Sequence, residues 1–136
     1  MISRYHDDLM STHVIEYPLI LVNLKTYMQS TGSNAIRLAE IAQNVSEETG
    51  VCIAIAPQLI DLKILSDSVE IPIFAQHIDP ITYGKNTGHI LPEAVKSAGA
   101  SGTLISHSEY RLELEGIDSR IRLSDFTFSF MIVSEL

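Results

Sequence analysis

The sequence predicts an α/β domain of parallel strands joined by helices, and three observations carry that expectation. Between Tyr17 and Gly102, short aliphatic runs alternate with stretches whose apolar residues recur at helical spacing, the mark of βα units. The clearest of those runs are apolar at every position, as in strands with both faces covered. Two polar clusters fall just past strand ends, where parallel α/β folds place their ligands. Crossover connections between parallel strands share one hand, so the units should curl in one direction, as a barrel or as a doubly wound sheet. Alternation alone does not choose between the two.

Leu19-Ile-Leu-Val22, too short for a helix and ending at Asn23, reads as strand one. From Asn34, the residues Ala35, Ile36, Leu38, Ala39, Ile41, Ala42 and Val45 form one apolar stripe, opened by capping candidates in Thr31-Gly-Ser33 and closed near Thr49-Gly50. Val51 to Ala56 is strand two, and Pro57 suits the first turn of a short helix carrying Leu59, Ile60, Leu62 and Leu65. Val69 to Ala75 supplies strand three, with Pro72 placing its core at Ile73 to Ala75. The loop from Gln76 to Gly88 is broken by Pro80, Gly84, Asn86 and Gly88. A helix from Leu91 to Ala98, with Pro92 near its start, leads through Gly99 to Gly102 into strand four, Thr103-Leu-Ile105. Beyond Tyr110 the signal weakens: Arg111 to Arg122 is charged with helical character, and Phe126 to Val133 alternates aromatics with hydroxyls like a strand.

The chain has 136 residues, 9 basic and 17 acidic, for a net charge of −8, and 46% of it is hydrophobic. That describes one domain, long enough to bury roughly two-thirds of its unfolded surface without disulfides or metal. The acidic balance argues against nucleic acid as a partner. No apolar stretch approaches the roughly 18 residues of a membrane span, and Met1 to His13 lacks the basic start and apolar centre of a secretory signal. A reducing, cytoplasmic location is the expectation. The single Cys52 reads as a small buried apolar residue.

The polar clusters are Asn23-Leu24-Lys25 after strand one and His107-Ser108-Glu109 after strand four. Residues two apart at a strand end point the same way, so Asn23 and Lys25 offer an amide and a positive charge to one anionic or carbonyl ligand. A neutral histidine in the position of His107 can polarise a carbonyl or shuttle protons, with Ser108 and Glu109 to position it. Each cluster alone is more often a solvated strand exit, for Asn23-Leu24-Lys25, or a helix cap with surface charge, for His107-Ser108-Glu109, than a site. His77 and His89 lack the further ligands of a metal site, and His6 and His13 have no pattern around them.

Taken in order, Val22-Asn-Leu-Lys-Thr-Tyr27, Ala56-Pro-Gln58, Ala75-Gln-His-Ile-Asp-Pro80, Thr87-Gly-His-Ile-Leu-Pro92 and Ser106-His-Ser-Glu109 resemble the N-terminal half of the triosephosphate isomerase family, in its compact archaeal form. The resemblance implies half of a (β/α)8 barrel and an enzyme that interconverts dihydroxyacetone phosphate and glyceraldehyde 3-phosphate through an enediol, without cofactor or metal. It implies that Asn23 and Lys25 contact substrate, that Lys25 balances phosphate and enediolate charge, and that His107 is the electrophile. Glu109, with Ser108 and Gln76, would support them. It further implies a homo-oligomer, a tetramer in the archaeal type, with the loop after strand three reaching a neighbouring subunit through Thr87.

A closed barrel of this type takes eight βα units and at least about 200 residues, whereas four units fit here. The family's general-base glutamate, mobile loop and glycine-rich phosphate turns have no counterpart in this sequence; Glu135 does not match the motif around the base. The expected organisation is a leader over residues 1–16, a half barrel over 17–124 and a divergent tail over 125–136. Glu115 to Ser124 still resembles the family's fourth helix and Asp125 to Leu136 does not, a loss that a shifted reading frame or a divergent natural ending would produce. Open edges at the first and fourth strands should make such a chain unstable alone or paired with a second copy. The alternative readings are a non-catalytic half barrel, binding a phosphorylated metabolite or assembling with other subunits, and an unrelated flavodoxin-like module. The second of these lacks its glycine-rich turn after strand one.

Overall fold

A computed structural model describes residues 15–127 and 130–133. Strands and helices alternate through them: β1 (Leu19–Asn23), α1 (Ser33–Thr49), β2 (Cys52–Ala56), α2 (Leu59–Ser68), β3 (Phe74–Ala75), α3 (Pro92–Ser97), β4 (Gly102–Ile105), α4 (Leu114–Thr127) and β5 (Phe130–Val133). Each strand pairing among the described residues is parallel. β1 lies against β2 from Leu19 opposite Cys52 to Asn23 opposite Ala56, and β3, β4 and β5 are neighbours in that order. A bridge from Ile55 to Ile73 joins the two groups. Pro72 has no N–H to donate, which keeps β3 short, but its carbonyl still accepts from Ile55 at 3.1 Å. Because the strands run the same way, Asn23, Ala56, Ala75 and Ile105 end along one rim.

Strand alternation divides the apolar residues into two layers. Ile55, Ile73 and Ala75 face the helices and pack with Ala35, Ala39, Leu62, Leu65 and Val95. Ala54, Ala56, Phe74 and Leu104 face the other way and pack with Ile15, Leu19, Leu21 and Ile132. Phe74 has no solvent exposure, and removing a side chain of that kind from water is worth about 2–3 kcal/mol.

Several sequence expectations change in detail. Strand one is covered on one face only: Ile20 and Val22, in register with Ile53 and Ile55 on the helix side, are 52% and 40% exposed. Strand four is not an edge, because β5 lies beside it. Phe126 and Thr127 close α4, and the strand begins only at Phe130. Cys52 is half-buried at the start of β2. No side chain in Thr31-Gly-Ser33 caps α1. Its N-cap is Gly32 at φ 61°, whose N–H donates to Asp61 of α2 at 2.9 Å, placing a carboxylate at the positive end of the helix. Gly50 closes α1 in the left-handed conformation at φ 71°, as Thr49-Gly50 leads one to expect. Residues 1–14, with His6 and His13, and residues 134–136, with Glu135, lie outside the described residues.

Candidate active site

The strand ends converge on a pocket of about 330 Å³ lined by Asn23, Lys25, Thr26, Gln76, His77, His107, Glu109 and Tyr110. β1 delivers Asn23 and, through a left-handed residue at φ 51°, Lys25. An L side chain adopts that conformation only when something holds it. Here the Asn23 Oδ1 accepts the Lys25 N–H at 3.0 Å. Gln76, first after β3, places its Nε2 within 3.2 Å of Asn23 Oδ1 and 3.0 Å of the carbonyls of Lys25 and Ala56. One amide thereby ties together the ends of β1, β2 and β3.

Beyond β4, Ser106 takes a second left-handed turn at φ 58°, and its hydroxyl accepts the Leu112 N–H at 3.2 Å. That turn brings His107 and Glu109 to the pocket. The Glu109 N–H donates to His107 Nδ1 at 3.2 Å, which requires a lone pair there and leaves the proton of the neutral ring on Nε2. A Glu109 carboxylate oxygen stands 3.7 Å from the same Nδ1, too far for a hydrogen bond.

Lys25 Nζ donates to Glu109 Oε1 at 2.9 Å, across 84 residues of chain. The hydrogen bond and charge of Glu109 raise the Lys25 ammonium above its ordinary value. The hydrogen bond from Lys25 holds the Glu109 carboxyl below its own ordinary range, against a smaller opposing effect of burial and with help from the charges of Lys25 and His107. Both groups are thus charged at neutral pH, and the carboxylate that lines the pocket is engaged with the lysine.

The structure brings together Asn23, Lys25, Gln76, His107 and Glu109; Ser108 and Thr87 do not line the pocket, and Thr87 is exposed in the loop after β3. Sequence reasoning passed over His77 and Tyr110 as pocket residues. The spacing of His77 and Asp79, two apart past a strand end, was the available signal. Among the described residues no group of three or more His, Cys, Asp or Glu is arranged to hold a metal ion. His77 and His89 face opposite oxygens of Asp79 instead.

A family profile described as triosephosphate isomerase matches residues 18–125. The chain belongs to the triosephosphate isomerase family. The triosephosphate isomerase of Methanobacterium bryantii is 53% identical over 110 residues, covering 81% of this chain and 49% of that protein. That of Methanoculleus marisnigri is 56% identical over 103 residues, 76% of this chain and 46% of its own length. The chain therefore spans about half the length of the curated relatives it matches. A crystal structure of triosephosphate isomerase from Bartonella henselae superposes with a TM-score of 0.69 at 21% identity, covering 85% of this chain and 50% of that one. That likeness establishes the fold: the parallel βα units are those of a (β/α)8 barrel and not of a doubly wound sheet. No helix among the described residues is long and apolar enough to cross a membrane.

Proposed function

We propose that this chain carries the substrate-positioning half of a triosephosphate isomerase site and that its ligand is a triose phosphate, dihydroxyacetone phosphate or glyceraldehyde 3-phosphate. The observation that carries the reading is the convergence of Asn23, Lys25 and His107, from two strand ends, on one pocket. Lys25 supplies the positive charge for phosphate and for negative charge developing on the substrate oxygens, Asn23 supplies an amide, and His107 donates from Nε2 to a carbonyl or enediolate oxygen. Glu109 and Gln76 hold Lys25 in place. Isomerisation also needs a group that removes a carbon-bound proton, and among the described residues the only carboxylate lining the pocket is already paired with Lys25.

The purified chain is accordingly expected to bind triose phosphate without turning it over at an enzymatic rate. Titration calorimetry with dihydroxyacetone phosphate, beside a coupled isomerase assay, tests this. Lys25→Ala should weaken binding by about 10- to 100-fold, the worth of one charge-assisted hydrogen bond. Equal affinity in the variant, or rapid turnover by the chain alone, would refute the assignment. The exposed Thr87 in the loop after β3 supports a second component of the reading, assembly with other subunits through that loop in a homo-oligomer of the archaeal type. Ligand binding that survives Thr87→Arg, with association lost, would separate the two.

A further inference from the structure

His77 follows Gln76 at the end of β3, lines the pocket, and is 20% exposed. Its Nε2 lies 3.1 Å from Asp79 Oδ1. A carboxylate oxygen only accepts, so Nε2 carries the ring proton and Nδ1 of the neutral ring keeps a lone pair. The ring is also held sideways, edge-on to Tyr110, with centroids 4.7 Å apart and planes at 86°.

Asp79 is itself anchored from two elements. Its Oδ2 accepts the Ile90 N–H at 2.8 Å and its N–H donates to the Ile90 carbonyl at 2.9 Å, closing the stem of the loop. Arg120 of α4 reaches Oδ1 at 3.4 Å while its Nε donates to the Ile78 carbonyl at 2.8 Å. His89 Nδ1 stands 3.4 Å from Oδ2. Burial alone would push the Asp79 carboxyl up, but the Ile90 N–H and the hydrogen bond and charge of His77, with the charge of His89, together hold it below its ordinary range. It is a fixed anion behind the imidazole.

The two pocket imidazoles thus differ in the atom they offer. His107 has Nδ1 occupied by a backbone N–H and offers a donor. His77 has Nε2 occupied by a carboxylate and offers an acceptor, in the manner of a histidine oriented by an aspartate for proton transfer.

We propose that His77, oriented by Asp79, is a proton acceptor of this pocket, so that a small dianion binding there is accompanied by uptake of one proton on His77 Nδ1. The proton comes from solvent, the new bond is Nδ1–H, and the imidazolium formed lies between the bound anion and Asp79. The inference rests on the reading of the pocket as an anion site. The titratable and charged groups around His77 are Asp79 and Tyr110 in contact with it, Lys25, Glu109 and His107 in the pocket, and His89 and Arg120 on the far side of Asp79. Lys25 is raised and Glu109 lowered by their mutual bond, so both keep their charge across the range in which histidines titrate.

Inorganic sulfate is a suitable probe because it stays a dianion throughout that range. Its binding to the whole chain is measured by titration calorimetry between about pH 8 and pH 6, in buffers of different ionisation heat. The expected result is affinity that rises as pH falls, by at most about tenfold per unit for one linked proton, with uptake visible in the buffer dependence. In His77→Gln, whose amide can still donate to Asp79 but takes up no proton, the uptake should vanish. Asp79→Asn keeps an acceptor for Ile90 and should diminish the uptake, which guards against a poorly folded glutamine variant. Uptake that persists in His77→Gln, that is undiminished in Asp79→Asn, or that disappears only in His107→Gln overturns the proposal while leaving the anion site intact. No sulfate binding at either pH overturns the anion site and the proposal with it.

Discussion

Two residues near the pocket adopt left-handed backbone that is costly for an L side chain, and each is held by a different contact. At Lys25 the neighbouring Asn23 and Gln76 side chains satisfy the backbone on both sides. At Ser106 the hydroxyl is engaged by Leu112. Ser106→Ala and Ser106→Gly both lose that bond, but glycine accepts φ 58° freely. The glycine variant should therefore be more stable than the alanine variant by about 1 kcal/mol in urea unfolding. Glu109→Gln would leave Lys25 with a neutral partner, so the lysine should titrate closer to its ordinary value. An NMR titration of the Nζ-adjacent methylene reads this directly, and an unchanged lysine would contradict the ion pair as its cause. Asn23-x-Lys25 and His107-x-Glu109 were legible in the sequence as polar clusters just past strand ends, but left-handed residues at Lys25 and Ser106, not strand alternation, bring them to the pocket. The pairing of Lys25 with Glu109 was not derivable from that spacing, since the partners are 84 residues apart.

Between elements, the loop after β3 is tied to α4 through Asp79 and Arg120, the latter only 7% exposed. The folded Asp79 carboxyl lies below its ordinary range, so its contribution to stability is complete above the unfolded carboxylate value of about 4 and is lost as pH falls through the lowered folded value. Asp79→Asn should be less stable at neutral pH and show a shallower loss of stability toward acid, followed by denaturant midpoints across that range. An unchanged acid limb would place the sensitivity elsewhere. Gly99, between α3 and β4, is at φ 104°, where an added Cβ would run into the Ser66 side chain, 2.7 Å from its Cβ. Ser66 in turn donates to the Ala98 carbonyl at 2.7 Å. Gly99→Ala combines backbone strain with a clash and should cost about 2 kcal/mol or more in thermal or chemical unfolding.

For the molecule as a whole, the informative surface is the outer side of β1. Among the described residues β1 pairs only with β2 and β5 only with β4, so the sheet has two open edges. Ile20 and Val22 on the first strand, with Leu38, Ile41 and Val45 on α1, are partly exposed apolar side chains. An open parallel edge beside apolar groups promotes association between chains. Val22→Lys places a charge on that face, and light scattering should show less self-association than in the unaltered chain at the same concentration. Because Val22 is already 40% exposed, the substitution should cost far less stability than Ile55→Ala, at 1% exposure, where cavity formation is worth about 2–5 kcal/mol.

The order of strands and helices, their parallel arrangement and the polar ends of strands one and four were settled by the sequence, because periodicity and breakers act over a few residues. Family membership was readable for the same reason, as ordered short motifs at fixed spacing. The tertiary structure alone decided what depends on distant segments. It left one face of β1 open, set β5 beside β4, supplied Asp61 as the partner of the α1 terminus in place of a local cap, and joined Lys25 to Glu109 and His77 to Tyr110. Those outcomes turn on which surfaces meet once the strands have paired, and no local pattern of residues encodes that.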